Sequence, residues 1–153
     1  MVIRPASISE KGALEDLQRR ASLNNPGDRQ ALLDHPDAIV VPIEQLEAGC
    51  VFVAERDDAR IGFAAVIGRQ DGGAELDALF VEPDQWQGGI GRALVDHCAD
   101  VARARGASTL HVIGNPHAKG FYLACGFVLA GTVETRFGIG LSMERALWRV
   151  RPM

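Results

Sequence analysis

Apolar and polar residues alternate in two rhythms along this chain, and the change of rhythm divides it. Val2-Ile3-Arg4 predicts a short strand that Pro5 stops. Ile8, Leu14, Leu17 and Ala21 then recur near the helical period, which predicts a helix capped by Ser7 or Ser9 and running through Arg20. Asn24-Asn25-Pro26-Gly27 predicts a loop, because asparagine, proline and glycine each favour turn geometry. Asp28 to Asp34 and Ile43 to Ala48 predict shorter helices on either side of His35-Pro36-Asp37. From Cys50 the pattern becomes β-rich: Cys50 to Glu55 predicts a strand, Arg56-Asp57-Asp58-Ala59 a turn, and Ile61 to Ile67 the return arm of a hairpin. A turn at Asp71-Gly72-Gly73 leads into a strand over Ala74 to Val81, which Pro83 closes.

The rhythm then returns to helix. Ile90, Leu94, Cys98 and Val101 share one face of a segment running to Arg105, with Arg92, Asp96, Asp100 and Arg103 on the other. Gly106 suits a left-handed cap. A strand over Thr109 to Ile113, a short helix over His117 to Ala124 and a closing hairpin follow. The hairpin arms span Phe127 to Arg136 and Ile139 to Val150, turning at Phe137-Gly138. This order predicts an α/β (mixed α+β) three-layer architecture, its sheet mixed in direction because hairpins and crossovers alternate. At 153 residues, without a linker or repeat, a single domain over 1–153 is expected.

Composition adds exclusions. The formal net charge is -4 with no Lys/Arg run, so no nucleic-acid partner is expected. No apolar run approaches the roughly 18 residues of a membrane span, and Met1 to Pro5 lacks a signal-peptide core. A soluble protein with no membrane partner is the expectation. Cys50, Cys98 and Cys125 have no CxxC spacing, so neither a disulfide framework nor a metal site is expected, and a cytoplasmic location follows.

Trp86-Gln87-Gly88-Gly89-Ile90-Gly91-Arg92 joins a predicted strand to the predicted long helix. The first N–H groups of a helix lack internal partners and carry partial positive charge, which suits a phosphate. Glycines let that phosphate approach the backbone, and Arg92 adds a full charge. By itself the loop reads first as a tight turn that holds no ligand. It lacks the closing Lys-Ser/Thr of a P-loop and the third glycine of a dinucleotide fingerprint.

A second motif changes the picture. Val81-x-Pro83 and Gly89-Ile90-Gly91-Arg92-Ala93-Leu94 precede Asn115-x-x-Ala118-x-x-Phe121-Tyr122-x-x-x-Gly126-Phe127. In this order they resemble the GNAT superfamily of N-acetyltransferases. The resemblance implies a central, mostly antiparallel sheet of about seven strands with about four helices. It also implies acetyl-coenzyme A as co-substrate, direct attack by an amine in a ternary complex, and no metal. By position, the pantetheine arm would pair with backbone at Leu79, Phe80 and Val81, in a gap where that strand splays from Thr109 to Ile113. The pyrophosphate would sit on Gln87, Gly88, Gly89, Ile90, Gly91 and Arg92, with Asn115 holding the pantetheine and Tyr122 facing the sulfur. One departure is Trp86, where the family loop reads Gln or Arg; because backbone N–H groups do the gripping, binding is expected to persist.

Acetyl transfer to an amine needs a protonated leaving thiol and a deprotonated nucleophile. Tyr122, the only tyrosine, stays protonated at neutral pH and so is expected to donate to the thiolate. Glu75 and Asp77 are the candidate bases, alternating onto one strand face that Leu79 and Val81 continue. A solvated strand face explains that pair equally well. His97 and His111 are expected to be structural, and His117 lies nearer the site. Cys125 reads as a packed thiol, while Phe137 and Trp148 line either an acceptor pocket or a dimer contact. The acceptor is expected to be a small-molecule or peptide amine, and a homodimer is expected from the resemblance. The competing reading is an acyl-CoA-binding sensor without turnover.

Overall fold

The computed structural model describes residues 1–148. Its strands are β1 (Val2–Pro5), β2 (Val51–Arg56), β3 (Ala59–Gly68), β4 (Ala74–Val81), β5 (Thr109–Gly114), β6 (Val128–Thr135) and β7 (Gly138–Ala146). They form one sheet in the order β1-β2-β3-β4-β5-β7-β6, antiparallel throughout except for the parallel β4–β5 pair. The helices are α1 (Lys11–Asn24), α2 (Arg29–Asp34), α3 (Ile43–Glu47), α4 (Ile90–Ala104) and α5 (Lys119–Ala124). No described helix is long and apolar enough to cross a membrane.

Alternation along β2 explains the layering. Phe52 and Ala54 join Ile90, Leu94, Val95 and Cys98 of α4 in a core on one sheet face. Val51 and Val53 join Leu14 and Leu17 of α1 and Leu46 of α3 in a core on the other. The three-layer expectation is met.

Two local differences have physical causes. The expected first helix opens as a tight 3-10 turn over Ile8–Glu10 before α1 begins. Its different winding turns Ile8 out of phase, leaving it half exposed, while Leu14, Leu17 and Ala21 stay buried. The helix then runs past Arg20 to Asn24, stopping where Asn25, which precedes Pro26, turns extended. In the last hairpin the turn falls at Arg136-Phe137, and the part of the expected final arm beyond Trp148 lies outside the described residues.

A buried carboxylate fastens the chain start to the sheet. Glu10 accepts from Arg4 at 2.8 and 2.9 Å, from Arg60 at 2.6 Å and from the Ser7 N–H at 3.0 Å. The hydrogen bond from Arg4 does most to hold the Glu10 carboxyl far below its ordinary value of 4.5. A depressed carboxylate contributes stability above the unfolded value, and that contribution is lost as pH falls through the folded one. Denaturant unfolding of Glu10→Gln should therefore show a loss of about 2 kcal/mol at pH 7. The difference from wild type should shrink steadily below pH 4.5.

Candidate active site

The site is built where two parallel strands part. β4 and β5 pair only at Ala74↔Leu110 and Glu75↔His111, although β4 continues to Val81. A bulge in β4 helps to bend it away: Ala78 pairs with Ala65 and Leu76 with Val66, so Asp77 drops out of register. The bulge also reverses the faces. Leu76, Leu79 and Val81 lie on the α4 side, whereas Ala78 and Phe80 pack towards α1. The expected common face for Glu75, Asp77, Leu79 and Val81 is therefore broken at Asp77.

Beyond the last pair the gap widens into a cleft of about 850 Å³. Leu79, Val81, Gly91, Gly114, Asn115 and Tyr122 are among the residues around it. The Glu82 N–H donates to Ile61 on β3 at 2.9 Å. Hydrogen-bonding direction alternates along a strand, so Phe80 likewise turns its backbone groups to β3, and Leu79 and Val81 turn theirs to the cleft. Of the three expected pairing residues, Phe80 is thus the exception.

The glycine loop presents open donors. Gln87 and Gly89 both adopt left-handed backbone, at φ 68° and 81°, which turns the chain sharply into α4. The first hydrogen bond of the helix runs from the Ala93 N–H to the Gly89 carbonyl at 3.0 Å. The N–H groups of Gly89, Ile90, Gly91 and Arg92 have no acceptor among the described residues. Gly88 differs, since its N–H closes the turn onto the Gln85 carbonyl at 3.3 Å. Gly88 is also set back from the cleft lining, to which Gln87, Gly89, Ile90, Gly91 and Arg92 all belong. Trp86, the departure from the family loop, donates through its indole N–H to the Val81 carbonyl at 2.8 Å. That bond occupies one of the cleft-facing carbonyls of β4 and leaves those of Leu79 open.

Tyr122 lies deep in the same cleft. Its ring stands edge-on to Phe121 and Phe127, with centroids 5.2 and 5.5 Å away. One edge of it also lies against Gly114, where an added Cβ would come to 2.9 Å from the ring. These contacts leave the residue 9% exposed. No group among the described residues hydrogen-bonds its hydroxyl, which burial, then the neighbouring Cys125 and Asp28, hold protonated well above the ordinary 10.0. A buried phenol with a free hydrogen is a proton donor in waiting.

The remaining candidates separate. Asp77 lines the cleft and accepts from Gln45 Nε2 at 2.9 Å. Glu75 does not line it; its carboxylate turns to Arg69, 4.0 Å away. Asn115 is committed at both ends, accepting from the His117 N–H at 2.9 Å and donating to Asp28 at 3.0 Å. His97 stacks edge-on to Phe52 and His111 faces Glu144, so neither reaches the cleft, whereas His117 lines it. Cys125 is a buried thiol, its ionisation opposed by desolvation. Phe137 packs on His35, and Trp148 is pinned to the Ala107 carbonyl at 2.9 Å. Neither lines the cleft. Sequence reasoning missed Asp28, which does. Its position before a short helix reads as an N-cap, yet its side chain makes no cap hydrogen bond.

A sheet splayed beside an open helix start, with a buried phenol between them, can seat a long ligand that ends in phosphates. The chain belongs to the acetyltransferase (GNAT) family, which it matches over residues 14–127. Among curated proteins it is 36% identical over 84 residues to the peptidyl-lysine N-acetyltransferase YjaB of Escherichia coli, and equally to that of Salmonella typhimurium. Those matches cover 55% of this chain and 52% of the relative, about half its length. Among solved structures, an aminoglycoside 6'-N-acetyltransferase complexed with coenzyme A has the same fold, with a TM-score of 0.77, 20% identity and complete coverage of both chains. The PaiA N-acetyltransferase of Thermoplasma acidophilum, in complex with coenzyme A, gives 0.75 and 18%, covering 95% of this chain and 98% of its own.

Proposed function

We propose that this protein transfers an acetyl group from acetyl-coenzyme A to a primary amine by direct attack within a ternary complex. The observation that carries the reading is the convergence of three unpartnered elements on one cleft. These are the open amides of α4, the free backbone of Leu79 and the Tyr122 hydroxyl. The amides and Arg92 fit a pyrophosphate, and the opened edge of β4 fits an amide-bearing arm, so the residues present suit the co-substrate. Cleft-facing backbone N–H groups of Leu79 and Val81 would polarise the thioester carbonyl. As the amine nitrogen bonds to that carbonyl carbon, the C–S bond breaks, and Tyr122 gives its proton to the departing thiolate. The proton released by the amine passes to Asp77, directly or through water; Asp77 fits this role better than Glu75 because it reaches the cleft.

Thermal unfolding with coenzyme A is the first test. The stabilisation expected is about 2.7 kcal/mol at 100 times the dissociation constant, and no shift at millimolar coenzyme A would overturn the reading. Thiol release with a panel of amines then separates an enzyme from an acyl-CoA sensor. A lysine-containing peptide belongs first in that panel, given the named activity of the YjaB relatives.

A further inference from the structure

We infer that Trp86 is a positioning residue for the arm of the co-substrate: its indole N–H holds the Val81 carbonyl, and the arm displaces it to pair with β4. The inference rests on the use of acetyl-coenzyme A proposed above and concerns the position where the glycine loop departs from the family pattern.

Register aims the Val81 carbonyl at the cleft. Gly62 faces Val81 across β3 and β4, and Phe63 faces Phe80. One step beyond, the Glu82 N–H donates to the Ile61 carbonyl at 2.9 Å, so Ile61 and Glu82 are a hydrogen-bonded pair. The next pair along an antiparallel ladder turns its groups outward, and for Val81 outward is the cleft, because β5 pairs with β4 only as far as Glu75. Leu79 and Val81 are therefore the β4 residues that offer backbone groups there. The Trp86 indole takes one of them, Nε1 donating to the Val81 carbonyl at 2.8 Å. A ring nitrogen that reaches this oxygen stands on the open edge of the strand. An extended arm that adds to the ladder needs the same edge.

The hold on the ring is light. Backbone bonds fix the residue itself: the Trp86 N–H donates to the Pro83 carbonyl at 3.4 Å, and the Gly88 N–H closes onto Gln85 at 3.3 Å. The side chain is freer. It is 41% exposed, lines the cleft, and has no aromatic partner among the described residues. One neutral hydrogen bond is worth about two- to twelvefold in an equilibrium constant. An arm amide that takes over the same carbonyl recovers that bond and adds its own contacts, so exchange favours the arm. Releasing the indole still lowers the apparent affinity, because only the released form accepts the arm. The residue thus tunes binding of the arm without touching the phosphates.

The test uses the full chain carrying Trp148→Phe, away from the cleft, which leaves Trp86 as the sole tryptophan. Its fluorescence is followed during titration with coenzyme A and with the phosphorylated adenosine diphosphate that is coenzyme A without its arm. Coenzyme A should move the emission to longer wavelength as the indole leaves the carbonyl for water. The arm-less nucleotide, its binding followed by competition with coenzyme A, should leave the emission in place. Trp86→Phe keeps a ring but removes the donor. Its Kd for coenzyme A should fall by about two- to twelvefold, while Kd for the arm-less nucleotide stays within about twofold of wild type. A residue that only packs would not separate the two nucleotides. Three results would each overturn the inference: an equal emission shift with both nucleotides, an emission that stays or moves to shorter wavelength at saturating coenzyme A, or an unchanged or weaker affinity for coenzyme A in Trp86→Phe. The unaltered chain, with Trp148 as a fixed background, gives the same emission reading should either variant fail to fold. Coenzyme A stabilisation distinguishes the two failures: if it persists, this inference alone falls; if it is absent, the acetyltransfer reading falls with it.

Discussion

Tyr122→Phe should lower kcat by about 100- to 10,000-fold, the range typical for removing a positioned general acid. Coenzyme A binding should not change, because the hydroxyl is neither at the helix start nor on the β4 backbone. The fold should also tolerate the change. The ring keeps its contacts with Phe121, Phe127 and Gly114, and the lost oxygen has no hydrogen-bond partner among the described residues. This combination separates a catalytic hydroxyl from a packing residue, since packing alone predicts an active variant. Burial raises the group above its ordinary value of 10.0, so the phenol remains a donor across the neutral and mildly alkaline range. No fall in wild-type kcat should therefore arise from Tyr122 ionising below pH 10. An active Tyr122→Phe enzyme on a confirmed acceptor would remove the acid role.

Gly91→Glu should abolish the thermal shift produced by coenzyme A. Gly91 is the second residue of α4, where its own N–H and those beside it are open. A carboxylate there would compete for those amides and repel a diphosphate, opposing the charge complementarity on which binding depends. Steric crowding adds to the effect, because an added Cβ would come within 3.1 Å of the Phe121 ring. Phe121 is partly exposed and has room to move, so loss of folding is not expected. Thermal unfolding without ligand should show a folded variant, with differential scanning as the check. Full coenzyme A stabilisation of that variant would move the phosphate away from this loop.

The long helix and the motif that follows were the easiest features to read in advance. Ile90, Leu94 and Cys98 carry a strong period because α4 packs against the sheet along its whole length. Tyr122 was legible through its neighbours, as Asn115, Ala118, Phe121, Gly126 and Phe127 stand around it in a recognisable spacing. The choice between Glu75 and Asp77 was not legible. It turns on a bulge, which leaves no mark in a run of alternating residues when both candidate faces accept a carboxylate. Asp28 was missed for a related reason. An aspartate before a helix looks like a cap, and nothing nearby in sequence shows that its partner is Asn115. The contacts of Phe137 and Trp148 were equally hidden, since both depend on segments distant along the chain.

Local sequence determined the elements, the glycine turn into α4 and the residue types proposed for acetyl transfer, because propensity and periodicity act over a few neighbouring positions. Tertiary structure decided where β4 leaves β5, which backbone groups remain unpaired, and which carboxylates line the cleft. Those outcomes depend on the register between strands and on contacts between distant residues, such as Asp28 and Asn115. Such contacts form only after the chain has folded back on itself, so no short stretch of sequence encodes them alone.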